Sequence, residues 1–226
     1  MSLRQPAVIF VTSVAMCAIA AAPARAQDAV SGRYEIAAGV TWTGSMSLGA
    51  AAAAETAPSG RFTLFSTSTE VSSAAGVETR VGVRLTPRFA VEASASYSRP
   101  VIRTAVSGDV ENAAPLTATD TLRQISVDGA LVVDLTREER VRRASPFIVA
   151  GAGYLRELHE GDTLAVNGQR YFAGGGIKWL LMSSPHKLKG LGLRADARAL
   201  LQRKGAAFDE RVHTSPSVTA SIFARF

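Results

Sequence analysis

From residue 33 onward, apolar and polar positions alternate with a period of two in eight segments, and no segment keeps a helical period. In the first, 33–43, Tyr34, Ile36, Ala38, Val40 and Trp42 share one face, with Glu35, Ala37, Gly39 and Thr41 on the other. In the second, 75–85, Val77, Val81, Val83 and Leu85 oppose Glu78, Arg80, Gly82 and Arg84. The third follows the turn Thr86-Pro87-Arg88 and sets Phe89, Val91, Ala93, Ala95 and Tyr97 against Ala90, Glu92, Ser94 and Ser96. The fourth, 122–135, sets Ile125, Val127, Gly129, Leu131, Val133 and Leu135 against Gln124, Ser126, Asp128 and Asp134. PFIVAGAGYLREL, GQRYFAGGGIKWLL, LGLRADARALL and SVTASIFARF supply the remaining four.

Connections after the first, third, fifth and seventh segments are long or rich in small and acidic residues, whereas the others are generally shorter. That rhythm predicts an all-β chain: an eight-stranded antiparallel up-and-down transmembrane β-barrel, with short turns at one end and long loops at the other. The run Ala50 to Ala54, flanked by Gly49 and Pro58-Ser59-Gly60, is expected to be loop. The stretches 45–73 and 99–120 carry Phe62, Leu64, Phe65, Val101, Ile102, Val106 and Val110 and are expected to continue the hairpins beyond the barrel.

Alternation does not say which face is the core; composition does. A water-exposed strand face carries abundant Lys and Glu, whereas the polar face here is mostly Gly, Ala, Ser and Thr with sparse charges. After residue 26 the only lysines are Lys178, Lys187, Lys189 and Lys204. The apolar face is therefore expected outward, against lipid. Tyr34 and Trp42, Phe89 and Tyr97, and Trp179 fall near segment ends, where girdles of interfacial aromatics belong. A sheet in hydrocarbon must close on itself, because each unsatisfied backbone group there costs several kcal/mol. The soluble alternative turns the same strands around, with the apolar faces lining a ligand cavity.

The N-terminus reads as an export signal over 1–26: Arg4, an uncharged apolar stretch, then Ala24-Arg25-Ala26 at a cleavage site, leaving 27–226 as the barrel domain. Met16 and Ala18-Ile19-Ala20 around Cys17 fit a lipoprotein signal poorly. Cleavage removes Cys17, the only cysteine, and lowers the formal net charge from +6 to +4 as Arg4 and Arg25 leave. A mild, scattered positive charge does not describe a nucleic-acid binder.

In the last segment Ala220, Ile222, Ala224 and Phe226 occupy alternate positions up to a terminal phenylalanine. This resembles the C-terminal recognition signal of bacterial outer-membrane barrels, and PFIVAGAGY followed by YFAGGGIKW resembles the glycine-rich strands of OmpA-like barrel domains. The resemblance covers 33–226 and stops at the barrel domain. It implies the outer membrane of a Gram-negative-type envelope as location, and outer-membrane lipid and the barrel assembly machinery as partners.

With the polar face inward, Glu35, Glu78, Arg80, Arg84, Glu92, Asp128, Asp134, Arg156, Arg170, Lys178, Arg194, Asp196, Arg198 and Arg225 lie inside or at the rims, eight basic and six acidic. An eight-stranded interior is just wide enough for its own side chains, so these charges are expected to pair and plug it, most densely at Arg194-Ala195-Asp196-Ala197-Arg198. Catalytic patterns are weak. His213-Thr214-Ser215 resembles the His-x-Ser of outer-membrane lipid A deacylases, yet Pro216 follows where they continue with Asn, and no acid occurs after Glu210. His159 and His186 lie in connections, and Asp109, Glu111, Asp120, Glu160 and Asp162 lack a calcium-loop spacing. No catalytic, cofactor or metal site is therefore expected. The reading is a non-enzymatic envelope protein with a role in envelope structure or in surface interaction, meeting an extracellular partner through its long loops. A narrow pore, a soluble ligand-binding barrel and a lipid-modifying enzyme are the alternatives.

Overall fold

A computed structural model describes residues 32–57, 60–108, 114–136, 144–158, 165–183, 187–204 and 212–226. The export signal, Asp109, Glu111, His159, Glu160, Asp162 and His186 lie outside them. The described residues form twelve strands: β1 (Tyr34–Thr43), β2 (Met46–Ala57), β3 (Gly60–Val71), β4 (Ala74–Arg84), β5 (Phe89–Ser98), β6 (Val101–Ser107), β7 (Leu116–Thr121), β8 (Arg123–Asp134), β9 (Ala144–Leu158), β10 (Ala165–Ser183), β11 (Gly190–Lys204) and β12 (Val212–Arg225).

Eight of them close an antiparallel barrel in the order β1-β12-β11-β10-β9-β8-β5-β4. Each strand pairs with its barrel neighbour in sequence, and β12 returns to β1 with Ala224 opposite Ile36, Ile222 opposite Ala38 and Ala220 opposite Val40. The seam runs to its last residue: Phe226 N–H donates to Tyr34 O at 2.9 Å and Tyr34 N–H to Phe226 O at 3.2 Å. A full ladder here removes the open edge that hydrocarbon does not tolerate.

The four further strands form a second sheet, β2-β3-β6-β7, made from the stretches 45–73 and 99–120. They prolong the walls of β1, β4, β5 and β8, and pairing is carried across the junction by Ser72 N–H to Val101 O (2.8 Å) and Leu122 N–H to Pro100 O (2.9 Å). The alanine run 50–54 lies within β2, not in a loop, paired with Phe65 to Ser68 and with Thr63 across a bulge. Local propensity for a strand is weak in a run of alanines, so it is the pairing with β3 that sets its conformation. At the opposite end β4 and β5 are joined by a tight turn in which Thr86 Oγ1 accepts from Phe89 N–H at 3.0 Å.

The apolar faces point outward. Ile36, Val40, Val77, Val81, Val91, Val127, Leu131, Ile148, Leu193, Val218 and Ile222 are all exposed. The inward positions hold the charged residues, most of the hydroxyls and many glycines beside a small group of apolar side chains, not the continuous apolar lining of a soluble ligand-binding barrel. Tyr34, Trp42, Phe89 and Trp179 are exposed outward, and Tyr97 is half-buried on the same outward register. Tyr34 and Trp42 mark the two ends of β1, a rise of about 20 Å along a tilted strand. Tyr154 and Tyr171 join the outward aromatics at the sheet end of β9 and β10.

One strand departs from the expected phase. In β9 Phe147, Val149, Leu155 and Glu157 are buried while Ile148, Tyr154 and Arg156 are exposed, so Arg156 is an outward residue and Glu157 the inward one. The glycines and alanines of VAGAG carry too little side chain to reveal the phase. Running the alternation on from Ile148 through Tyr154 places Arg156 on the outer face.

Candidate functional site

Two features distinguish this barrel from a plain wall: its charged interior and the sheet it carries. With Arg156 outside and Glu157 inside, the inward charged side chains that the structure describes are seven cations (Arg80, Arg84, Arg170, Lys178, Arg194, Arg198, Arg225) and seven carboxylates (Glu35, Glu78, Glu92, Asp128, Asp134, Glu157, Asp196). Among these described side chains the charges balance, as a low-dielectric space favours.

The charges are ordered along the barrel axis. Near the turn end Glu35 receives Lys178 Nζ and Arg225 Nε, each at 2.9 Å. Arg194 Nη1 lies 2.6 Å from Glu92 Oε1, and Arg84 Nη2 lies 3.4 Å from Asp134. Midway, Asp196 is the hub: it accepts from Arg80 Nη1 at 2.7 Å, Arg198 Nε at 2.7 Å and Arg194 Nε at 3.1 Å. Glu78 binds Arg80 and lies 3.4 Å from Arg198 Nη1, and Thr219 Oγ1 donates to it at 3.4 Å. Toward the sheet end Arg170 grips Asp128, with Nε to Oδ1 at 3.1 Å, and donates to Ser126 Oγ at 2.6 Å. Gln124 then donates to Glu157 at 3.0 Å.

Aromatic and aliphatic side chains fill the space between these layers, which the period-two pattern did not foretell. Ala90, Val132, Phe147, Val149, Phe172 and Leu200 form a buried cluster inside the barrel. Arg194 lies over the Phe147 ring at 4.3 Å, Arg225 over Phe223 at 4.9 Å and Arg198 over Phe172 at 5.0 Å. Such stacking shields guanidinium faces that carboxylates cannot reach. Glycine makes room for the rings: a Cβ on Gly176 would stand 2.7 Å from Phe147 Cζ and 2.6 Å from Asp196 Cβ. A cavity of about 20 Å³ lies beneath the sheet, bordered by Met46, Gln124, Gln202 and Ser215, and one of about 10 Å³ lies near Glu35 and Lys178. Each has room for about one water molecule.

His213 and Ser215 both belong to the inward register of β12. His213 Nδ1–H donates to Ser47 O at 2.9 Å, tying β12 to β2, and Ser215 is buried in the wall of the cavity. The pair thus sits at the junction of barrel and sheet. Ala220, Ile222 and Ala224 lie on the outward register of β12, and Phe226, exposed, follows at the next outward position.

The sheet has a different chemistry. Its faces are lined largely by Ala, Ser and Thr, with Phe62, Phe65 and Leu116 exposed. Hydroxyl pairs join neighbouring strands: Thr69 Oγ1 with Thr104 Oγ1 at 3.2 Å, and Ser66 Oγ with Ser107 Oγ at 3.4 Å. Glu70 and Arg103 face each other across β3 and β6. Most of its residues are exposed on both faces, so it has no core of its own.

No family model and no curated protein matches the sequence. Solved structures do match in fold. Neisserial surface protein A (NspA) is 11% identical, with 85% of this chain and 97% of that chain covered and a TM-score of 0.50. The outer membrane protein OprG from Pseudomonas aeruginosa is likewise 11% identical, with 89% and 98% covered and a TM-score of 0.51. The chain therefore has the all-β, closed eight-stranded fold of outer-membrane barrels, with the apolar exterior that a bilayer demands.

Proposed function

We propose that the chain is a non-enzymatic integral protein of the outer membrane, in which the barrel is a closed anchor and the four-stranded sheet, raised on its outer side, meets an extracellular partner. The observation that carries this reading is the sheet itself. Four barrel walls continue past the aromatic belt as paired strands, not as irregular loops, and they expose Phe62, Phe65 and Leu116 with no core to bury them. Ordering so many residues costs backbone entropy of about 1–2 kcal/mol each, which a loop without a task need not bear. Support for a closed barrel comes from the interior, where the described residues pair their charges, stack rings on guanidiniums and border water-sized cavities.

The test separates anchor from working part. A variant in which residues 46–71 and 101–121 are replaced by short turns retains resistance to SDS without heating and shifts mobility on boiling. Cells displaying the full chain bind immobilised extracellular-matrix proteins, and cells displaying the variant do not. Equal binding by both removes the role of the sheet. Steady single-channel conductance of the full chain in planar bilayers replaces this reading with a pore.

A further inference from the structure

On the outward positions of the eight barrel strands, the charged side chains among the described residues are three arginines, Arg123, Arg156 and Arg203. All are exposed and all lie at the sheet end, on β8, β9 and β11. Between them β10 presents Asn167 and Gln169, also exposed. One residue past the end of β5, exposed Arg99 extends the series: its Nε donates to Tyr97 Oη at 2.6 Å and its guanidinium lies over that ring at 5.6 Å. The outward positions of β12, β1 and β4 carry no charge, so this is an arc and not a girdle.

The arc is level. Gln169 pairs with Arg203, Asn167 with Arg156 and Leu158 with Arg123, so passing from β11 through β10 and β9 to β8 the chosen positions step outward by two, zero and two residues. The strand stagger of an ordinary eight-stranded barrel requires about one residue per strand to hold constant height. The last pair of β5 with β8 is Ser98 with Gln124, which leaves Arg99 and Arg123 facing one another at the next position. No described residue is an acidic partner for Arg156 or Arg203. Directly below sit Tyr97, Tyr154, Tyr171 and Leu201, the upper edge of the apolar exterior, so the guanidiniums stand at headgroup depth.

Resting on the outer-membrane reading, we propose that Arg99, Arg123, Arg156 and Arg203, with the amides of Asn167 and Gln169, bind the phosphate groups of anionic lipids in the leaflet around the sheet end. Guanidinium forks match phosphate oxygens in pairs, and the amides add neutral donors across β10. Bound lipid supplies the counter-charge that Arg156 and Arg203 lack among the described residues and fixes which side of the barrel faces a given lipid.

The full chain is folded into nanodiscs of phosphatidylcholine containing a minor fraction of diphosphorylated lipid A, and lipid retained on the released barrel is counted by native mass spectrometry. Wild type retains lipid A over phosphatidylcholine. Arg156→Gln with Arg203→Gln lowers retention roughly thirtyfold, since each basic residue at an anionic surface contributes about 1 kcal/mol. Arg33→Gln with Arg88→Gln, at the opposite rim, leaves it unchanged, and lipid A stripped of phosphate is not retained. Equal retention by wild type and the Arg156/Arg203 variant overturns the proposal, as does displacement of lipid A by millimolar inorganic phosphate, which marks a site for a soluble anion. The same samples are run on SDS gels unheated. A heat-shifted band without lipid retention sinks this site alone, and a band that never shifts sinks the membrane reading with it.

Discussion

Asp196→Asn tests the interior most directly. The Asp196 carboxylate is fully buried and takes three guanidiniums, Arg80 at 2.7 Å, Arg198 at 2.7 Å and Arg194 at 3.1 Å. Asparagine keeps the shape but removes the negative charge and turns one acceptor into a donor aimed at donors. The seven inward carboxylates become six against seven cations, with the excess charge placed midway along the barrel. Breaking a buried pair by removing one partner costs about 3–5 kcal/mol. With a urea slope of about 2–3 kcal/mol per molar, the midpoint falls by roughly 1–2 M. The assay is urea unfolding of the folded barrel in detergent micelles, followed by the fluorescence of Trp42 and Trp179. Glu55→Gln in the exposed sheet serves as control. Asp196→Asn combined with Arg80→Gln restores neutrality and recovers a substantial part of the loss, a coupling that a double-mutant cycle isolates. A single-variant loss below about 1 kcal/mol, or a double variant no better than the single, refutes the claim that charge balance holds the interior together.

Other perturbations address the ring layer, the glycine wall and the lipid face. Phe147→Ala removes a ring that is 2% exposed and covers Arg194 and Lys178; the expected loss is about 3–5 kcal/mol in the same titration. Gly153→Val directs a side chain into Asp128 and the Val127 carbonyl, displacing the carboxylate from Arg170, and the unheated SDS-resistant band is expected to disappear. Val81→Arg, on the outward face between the aromatic belts, is expected to cost roughly 2–4 kcal/mol in vesicles, whereas an aqueous exterior tolerates it. Trypsin added to intact cells is expected to spare Arg61 and Arg103, because β3 and β6 hold both in paired strands; rapid cutting there means that the sheet does not persist in solution.

Several of these residues are legible in the sequence alone and others are not, and the division follows the range of the interactions. Glu78, Arg80 and Glu92 are inward in β4 and β5 because their strands alternate cleanly with valines and alanines whose sides are unambiguous. The phase of β9 was hidden by Val149-Ala150-Gly151-Ala152-Gly153, where nothing bulky marks a face, so Arg156 and Glu157 exchanged sides. Phe147 and Phe172 sit inward although large apolar residues were expected outward, because guanidiniums of β11 cover their rings. Strand β2 has too few β-branched or aromatic residues to declare itself; its conformation comes from β3, with which it pairs.

By itself the sequence determined the strand period, the number of barrel strands and, through its scarcity of lysine and abundance of small inward residues, which face meets lipid. Those are local properties, since a side chain's face is set by its parity along one strand. Only the tertiary structure decided that Arg80 meets Asp196 across 116 residues, that the inward charges balance, that two loops become one sheet, and that Arg99, Arg123, Arg156 and Arg203 share one height. Each of these depends on register and on closure of the barrel, which bring together residues whose separation along the chain carries no signal of their contact.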